Sequence, residues 1–460
     1  MNKFKLTVLA ASLGLAPLAH ADTNADILNE LQALKAKVQQ LEAQVKEQQA
    51  QITDNQKATD EASKVANHAD VQVSGIKQAN EAAGFMGLKI TGMIAPAYVY
   101  NQDQQSSSFV FLNRSNASAG GSTLYNYDNS YFGSAYISFA KETEGGTKWT
   151  LTLAPDRGAG TLMNGNSIIH EASVSLPLNG DKDTRLIAGQ IPDWEGYEST
   201  WPNQGPAITH NLLFDFAELT AYTGVGVDVT RGNWEWKTML ANVNSPRYYY
   251  NNNYGGRAPA AIFRADYSVP GYDNADIGFW GLVGKLPNAA NLTGTSSAAM
   301  FEVDGYVTQG AWGYYGQVGY GQQSQAAYNG DTARWYGLSG MLTYNFTPRV
   351  LTFARFDYLN DSRNGGGLPG GVSGPDGING FGPDPATCTQ GSGGGLTACT
   401  GNGANRYALS LGLNYLYTKS TTLKLEYRYD RANLATFYNV SDGSYKKDNN
   451  LLAASVVVSF

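Results

Sequence analysis

Between Thr421 and Asn433 the side chains divide by parity: Leu423, Leu425, Tyr427 and Tyr429 alternate with Lys424, Glu426, Arg428 and Asp430. Strand side chains repeat every two residues, so this segment has one apolar face and one ionised face. The pattern recurs. On 259–269, Ala261, Phe263, Ala265, Tyr267 and Val269 oppose Arg264, Asp266 and Ser268; on 217–230, Ala217, Leu219, Ala221, Val225, Val227 and Val229 oppose Glu218, Thr220, Asp228 and Thr230. A soluble sheet also alternates, with its apolar side on a core. It does not put several ionised groups on one face of strand after strand while the other face ends in aromatics. Lipid outside and water inside account for both, which predicts an all-β transmembrane barrel.

Alternation places strands near 88–100, 130–142, 147–156, 168–178, 184–191, 217–230, 233–243, 259–269, 275–286, 298–309, 311–322, 331–346, 349–360, 405–418, 421–433 and 448–460. That makes about 16 antiparallel strands, an even number that returns the chain to the side where it began. Tight connections such as Thr143–Thr147, Arg231–Asn233 and Thr347–Pro348 alternate with long ones at Asn101–Asn129, Asp193–Asn211, Asn244–Ala258, Pro287–Ser297 and Asn360–Ala404. Short periplasmic turns and longer external loops have this asymmetry. On the last strand Leu452, Ala454, Val456, Val458 and Phe460 share one face, as the strand that closes a barrel against the first must present to lipid. Many of the 54 Tyr, Phe and Trp residues sit near strand ends, Trp234, Trp236, Trp335 and Tyr417 among them, as interfacial girdles require.

Lys3 and Lys5, an apolar run from Leu6 to Leu18 and the sequence Ala19-His20-Ala21 form a basic start, a short apolar stretch and a small-x-small end, so residues 1–21 read as a cleaved secretory signal. Without them 30 basic and 39 acidic residues remain, a net charge of −9, which argues against a nucleic-acid partner. In an exported chain the two cysteines, Cys388 and Cys399, are expected to form a disulfide, worth about 3 kcal/mol for a loop of this size.

Residues 24–83 differ from all that follows: no aromatic, no proline and one glycine. Leu31, Val38, Val45 and Ile52 recur every seven residues, with Ile27, Leu34 and Leu41 between them. This heptad predicts a coiled coil with mostly β-branched residues at a and Leu at d. After Ile52 the core positions become small or polar. A trimer is expected for the chain, although β-branched a with Leu d also suits a dimer.

Taken together, a heptad segment, an alternating barrel and a terminal Phe resemble the trimeric 16-stranded porins of Gram-negative outer membranes. The layout is similar to those with an N-terminal periplasmic coiled coil, such as phosphate-selective and siderophore porins. The resemblance implies three parts: signal 1–21, periplasmic coiled coil 22–84 and outer-membrane barrel 85–460. It implies a homotrimer in outer-membrane lipid, recognition of Phe460 by the barrel-assembly machinery, passage of small hydrophilic solutes or ions, and no cofactor or metal. It also implies that the third external loop folds inward. Here that loop joins strands five and six around 192–211, and Asp193, Glu195 and Glu198 are its candidate constriction, favouring cations. Candidate pore-lining residues are Glu218, Asp228, Arg264, Asp266, Arg355, Asp357, Lys424, Glu426 and Arg428. Their signs are mixed, without the basic concentration that phosphate selectivity calls for. An alternative function is a structural tether, with the coil reaching toward the cell wall. An enzyme is disfavoured: His68, His170 and His210 accompany no nucleophile or metal-ligand spacing, and the parity of His170 with Ala172 and Val174 places it at a membrane interface.

Overall fold

The computed structural model describes residues 24–82, 86–112, 132–155, 168–178, 180–244, 259–288, 295–327, 330–361, 381–390, 396–397, 399 and 403–460. The segment expected to be a signal, residues 1–21, lies outside them, as do the tips of several loops. The chain divides into two units at Met86/Gly87.

The first unit is helix α1, Asn24–Ala82. Its length follows from composition: Ala, Gln, Lys and Glu are good helix formers and no proline interrupts them. Leu31, Leu34, Val38, Leu41, Val45 and Ile52 are each 48–67% exposed along one stripe.

The second unit is a closed antiparallel barrel of 16 strands. In chain order β1 is Leu88–Ile94 continued as Ala97–Asn101, and β2 is Ser106–Val110 continued as Ala135–Glu142. There follow β3 Lys148–Leu153, β4 Ile169–Leu178, β5 Asp181–Pro192, β6 Ala221–Arg231, β7 Trp234–Asn244 and β8 Ala260–Ser268. The remainder are β9 Asn274–Pro287, β10 Thr295–Gln309, β11 Trp312–Gln323, β12 Ala333–Thr347, β13 Val350–Asn360, β14 Arg406–Thr418, β15 Thr421–Ala432 and β16 Asp448–Ser459. Each pairs with its neighbour in sequence, and β16 returns to β1 with Ile94 opposite Val458 and Asn101 opposite Leu451. Backbone hydrogen bonds run both ways between Gly92 and Phe460, at 3.0 and 3.1 Å. The Phe460 ring lies against Gly92, where a Cβ would come within 2.3 Å of it, so this glycine makes room for the closing residue.

Alternation sorts the side chains as the sequence predicts. On β15, Leu423, Leu425 and Tyr427 are 40–47% exposed outside, whereas Lys424, Glu426, Arg428 and Asp430 are at most 5% exposed inside. Val225, Leu240, Phe263, Phe301, Leu411 and Val456 continue the outer apolar band around the barrel. Near the short turns, Trp234 stacks on Trp236, and Trp312 packs on Tyr344, which in turn meets Phe346 edge-on.

Three local departures matter. The expected loop Asn101–Asn129 is instead a tight turn at 102–105, the strand Ser106–Val110, and an excursion that leaves β2 in mid-strand. Its base is closed by Leu112 N–H to Gly133 O at 2.8 Å and Ala95 N–H to Ser134 O at 2.9 Å. Gly133 has φ +64° and a Cβ there would meet Val110 O at 2.3 Å, so only glycine fits. The strand expected at 217–230 begins at Ala221; residues 217–220 belong to the preceding loop. A bulge between β3 and β4, where Thr152 opposes Glu171 but Leu153 opposes Ile169, leaves His170 without an opposite partner.

Candidate functional site

Loop three, residues 193–220, enters the barrel and packs against its wall on several sides. Within it, α2 (Leu212–Phe216) is started by Asn211, whose side chain accepts from Phe214 N–H at 2.9 Å. Leu212, Leu213 and Phe216 bury themselves against Met239, Ile262, Trp280, Trp335 and Phe381. Ile208 joins Val99, Val110, Phe132 and Leu451; Trp201 joins Met93, Ala95 and Val457. Phe381, from the long connection after β13, meets Phe216 at 4.9 Å.

Polar groups of β12–β15 fix the loop backbone. Lys424 Nζ donates to Pro202 O and Gly205 O, each at 2.5 Å. Glu426 accepts from the backbone N–H of Ile208 (2.6 Å) and Thr209 (3.0 Å) and from the Thr209 hydroxyl. Arg355 donates to Glu198 at 2.7 Å, Thr209 O at 2.7 Å, His210 O at 2.8 Å and Asp357 at 3.2 Å. Arg428 donates to His210 O at 2.6 Å and to Asp430 at 3.1 Å. Tyr197 and Ser339 share a hydrogen bond of 2.7 Å, and Ser339 donates to Asp357 at 2.7 Å. The carboxylates of Glu198, Asp357 and Glu426 and the carbonyls of Pro202, Gly205, Thr209 and His210 each receive donors, the condition under which burying charge is tolerable.

This corrects the role expected of several residues. Arg355, Asp357, Lys424, Glu426 and Arg428 face inward, yet they are buried beneath loop three and hold it rather than lining open water. Alternation identified their face; it carried no information on what covers that face. Arg264 is likewise engaged, paired with Asp304 and with Asp266 at 2.7 Å. Glu218 lies in loop three, buried, and its Oε1 accepts from Gln317, which also donates to Glu302 at 2.9 Å. Asp228 is half-buried on β6.

The loop acids also behave differently from a charged ring. Glu195 is buried and accepts from Tyr222 Oη at 3.0 Å and Leu219 N–H at 3.3 Å. Burial, with Asp193 and Glu302 close by, pushes its carboxyl well above the ordinary range. Burial raises Asp193 to about 8. Glu198 is raised by burial too, against the pull of Arg355. Glu195 and Glu198 are thus each held by protein donors, and all three acids border a cavity beside loop three.

Two of the cavities that border residues 201–206 separate loop three from the wall. One, about 370 Å³, lies between loop three and strands β1–β5 and is lined by Thr91, Tyr136, Ser138, Thr152, His170, Glu171, Asp193, Glu198 and Trp201 among others. The other, about 280 Å³, is bounded by Pro202–Pro206, Tyr315, Thr343, Asn414, Thr422, Lys424 and Ser459, toward the short-turn end. Gln204 borders both. His170, expected at a membrane interface, is only 2% exposed and meets Trp201 edge-on at 4.7 Å inside the barrel. The bulge re-aims it. In sequence the only available signal was parity, which a bulge inverts.

Cys388 and Cys399 are bonded to each other in the long loop. Among the described residues no group of three or more His, Cys, Asp or Glu is placed to hold a metal ion.

The profile of a protein family described as "Protein of unknown function (DUF3138)" matches residues 50–265 and 278–460. No curated protein matches the chain. Among solved structures, the anion-selective porin from Comamonas acidovorans is similar with TM-score 0.50 at 8% identity, over 81% of this chain and 99% of that one. The outer membrane channel DcaP of Acinetobacter baumannii gives TM-score 0.48 at 12% identity, over 81% and 97%. In-vitro folded OmpT, an outer membrane protein of Vibrio cholerae, gives 0.48 at 9%, over 81% and 97%. The first likeness is one of fold.

Proposed function

We propose that this chain, which belongs to the DUF3138 family, is an outer-membrane porin: a water-filled channel for passive diffusion of small hydrophilic solutes or ions, narrowed by loop three. The observation that carries the proposal is the combination in one closed barrel of an apolar outer band, an ionised inner wall and a loop drawn into the lumen. Lipid satisfies the first, and a barrel that passes solutes through a narrowed lumen uses the second and third.

The proposal includes a cleaved signal at 1–21, a periplasmic coiled coil at 22–84 and the barrel at 85–460, assembled as a homotrimer. The uncovered apolar stripe of α1 supports self-association, because a heptad stripe is stable only against another helix. Phe460, paired with Gly92, is the proposed mark for the assembly machinery. The layout is that of porins with an N-terminal coil, but phosphate selectivity is not part of the proposal: Arg355, Arg428 and Lys424 are spent on loop three. No observation favours the tether over the channel.

The test is conductance of the detergent-folded, full-length protein in a planar bilayer under a salt gradient. Discrete steps arriving in threes are expected. A correctly folded barrel that inserts and stays silent at every potential would remove the porin assignment.

A further inference from the structure

The cavity beside β1–β5 differs from the rest of the lumen in its chemistry. It is lined by hydroxyls of Thr91, Ser138 and Thr152 and by the carboxyls of Glu171 and Asp193, and among the described residues no Lys or Arg borders it. Glu171 accepts from Ser173 Oγ at 2.6 Å and pairs with no described cation. The other acids are engaged: Glu198 by Arg355 at 2.7 Å, Glu195 by Tyr222 and Leu219.

A second observation points to a ligand. His170 borders the same cavity, 98% buried by its 2% exposure, and its Nδ1 has no hydrogen-bond partner. A buried ring nitrogen left unpaired is costly unless something in the cavity serves it. The bulge that brings His170 and Glu171 to one cavity is itself held. Gln190 Nε2 donates to Ile169 O and His170 O, both at 2.9 Å, fixing the two carbonyls that the irregular pairing frees. Bulges re-aim side chains at functional places. Here the device brings an unpaired ring nitrogen and a carboxyl group to one cavity.

Resting on the porin reading, we propose that this cavity is a cation-binding step in the channel. It fits small ammonium-bearing hydrophilic solutes, and Glu171 is its specificity-determining carboxylate. An ammonium group carries several donors and no acceptor, which matches a lining whose described residues are rich in acceptors and include no Lys or Arg. The loop acids Glu195 and Glu198 then serve the seating of loop three, and selection falls to the wall.

The experiment measures reversal potential with the intact protein in planar bilayers, first with potassium chloride and then with methylammonium chloride. Wild type should prefer cation over chloride and pass methylammonium at least as well as potassium. Glu171→Gln, which keeps shape and can still accept from Ser173, should retain open steps and lose cation preference by about fourfold at the solvent-screened limit. Thr152→Lys, opposite Glu171 in the β3–β4 register, supplies a tethered ammonium and should lower cation preference with Glu171 in place. Open channels whose reversal potential is unchanged in both variants would overturn the cation step while leaving the porin standing. Silent wild-type barrels would overturn the porin reading itself, and the cation step with it.

Discussion

Arg355 is the side chain whose loss should be felt most directly in the channel. It is fully buried and its guanidinium serves Glu198, Asp357, Thr209 O and His210 O together. Arg355→Met keeps bulk and removes every donor. Breaking a buried, hydrogen-bonded ion pair costs about 3–5 kcal/mol, because the abandoned charge stays in a dry place. Glu198 keeps a second donor in the Asn211 N–H, so the lower end applies. About 3 kcal/mol shifts the balance between seated and unseated loop by about two powers of ten. The strand ladder does not depend on this residue, so the barrel itself should still fold and run as a heat-modifiable band. In a planar bilayer the variant should show larger steps and open-channel noise as the loop leaves the lumen intermittently. Adding Glu198→Gln should restore part of the quiet, since the two residues share one interaction. A folded Arg355→Met barrel with wild-type step size and noise would refute the view that these inward cations act as fastenings.

Other expectations are equally concrete. Gly92→Val places branched carbons where the Phe460 ring lies, an overpacking of about 1–3 kcal/mol at barrel closure; the heat-modifiable fraction after refolding should fall. For the proposed homotrimer, Leu34→Asn with Leu41→Asn on α1 should lower the temperature at which the oligomer separates on unheated gels, while single-channel conductance stays the same. The Asp193 carboxyl, raised by burial to about 8, is protonated at pH 6 and ionised at pH 10, so cation preference should climb through that window, and climb less in Asp193→Asn. The stability linked to this group runs the other way. It is fully present below the ordinary 3.8 and falls as pH rises toward about 8, because the unfolded chain releases the proton first; a thermal-unfolding series with Asp193→Asn as control checks the sign.

How much of this was legible in the sequence follows from the range of each interaction. The parity of Leu423 to Asp430 is a local property of a strand, and the inside and outside of β15 could be read from it directly. The distinctive run from Pro192 to His210 likewise marked loop three. Sequence did not reveal the partners of Lys424, Arg355 and Glu426, because each contact joins segments more than 140 residues apart. The break in β2 was hidden for another reason: Ser106–Val110 is short and polar, and its pairing with Ala97–Asn101 depends on an excursion rooted at Gly133. His170 shows the limit of alternation most plainly, since one extra residue in a ladder reverses the face of everything before it. Residues 217–220 were apolar in the right rhythm, yet they bury in the lumen because the loop they belong to supplies a core there.

The fastenings of loop three also bear on the order in which the molecule can be made. Its own residues leave the ribosome and cross into the envelope well before β13 and β15, yet Arg355, Lys424, Glu426 and Arg428 all belong to those late strands. Hydrogen bonds spanning 146 to 222 residues cannot form until nearly the whole circumference has joined. Loop closure over such distances adds little entropy beyond that already lost in closing the sheet, so once β15 arrives the seating should follow at once. A nascent barrel therefore passes through a wide-mouthed stage and narrows only as its last members lock, and a chain cut before Val350 has nothing to fasten the loop with.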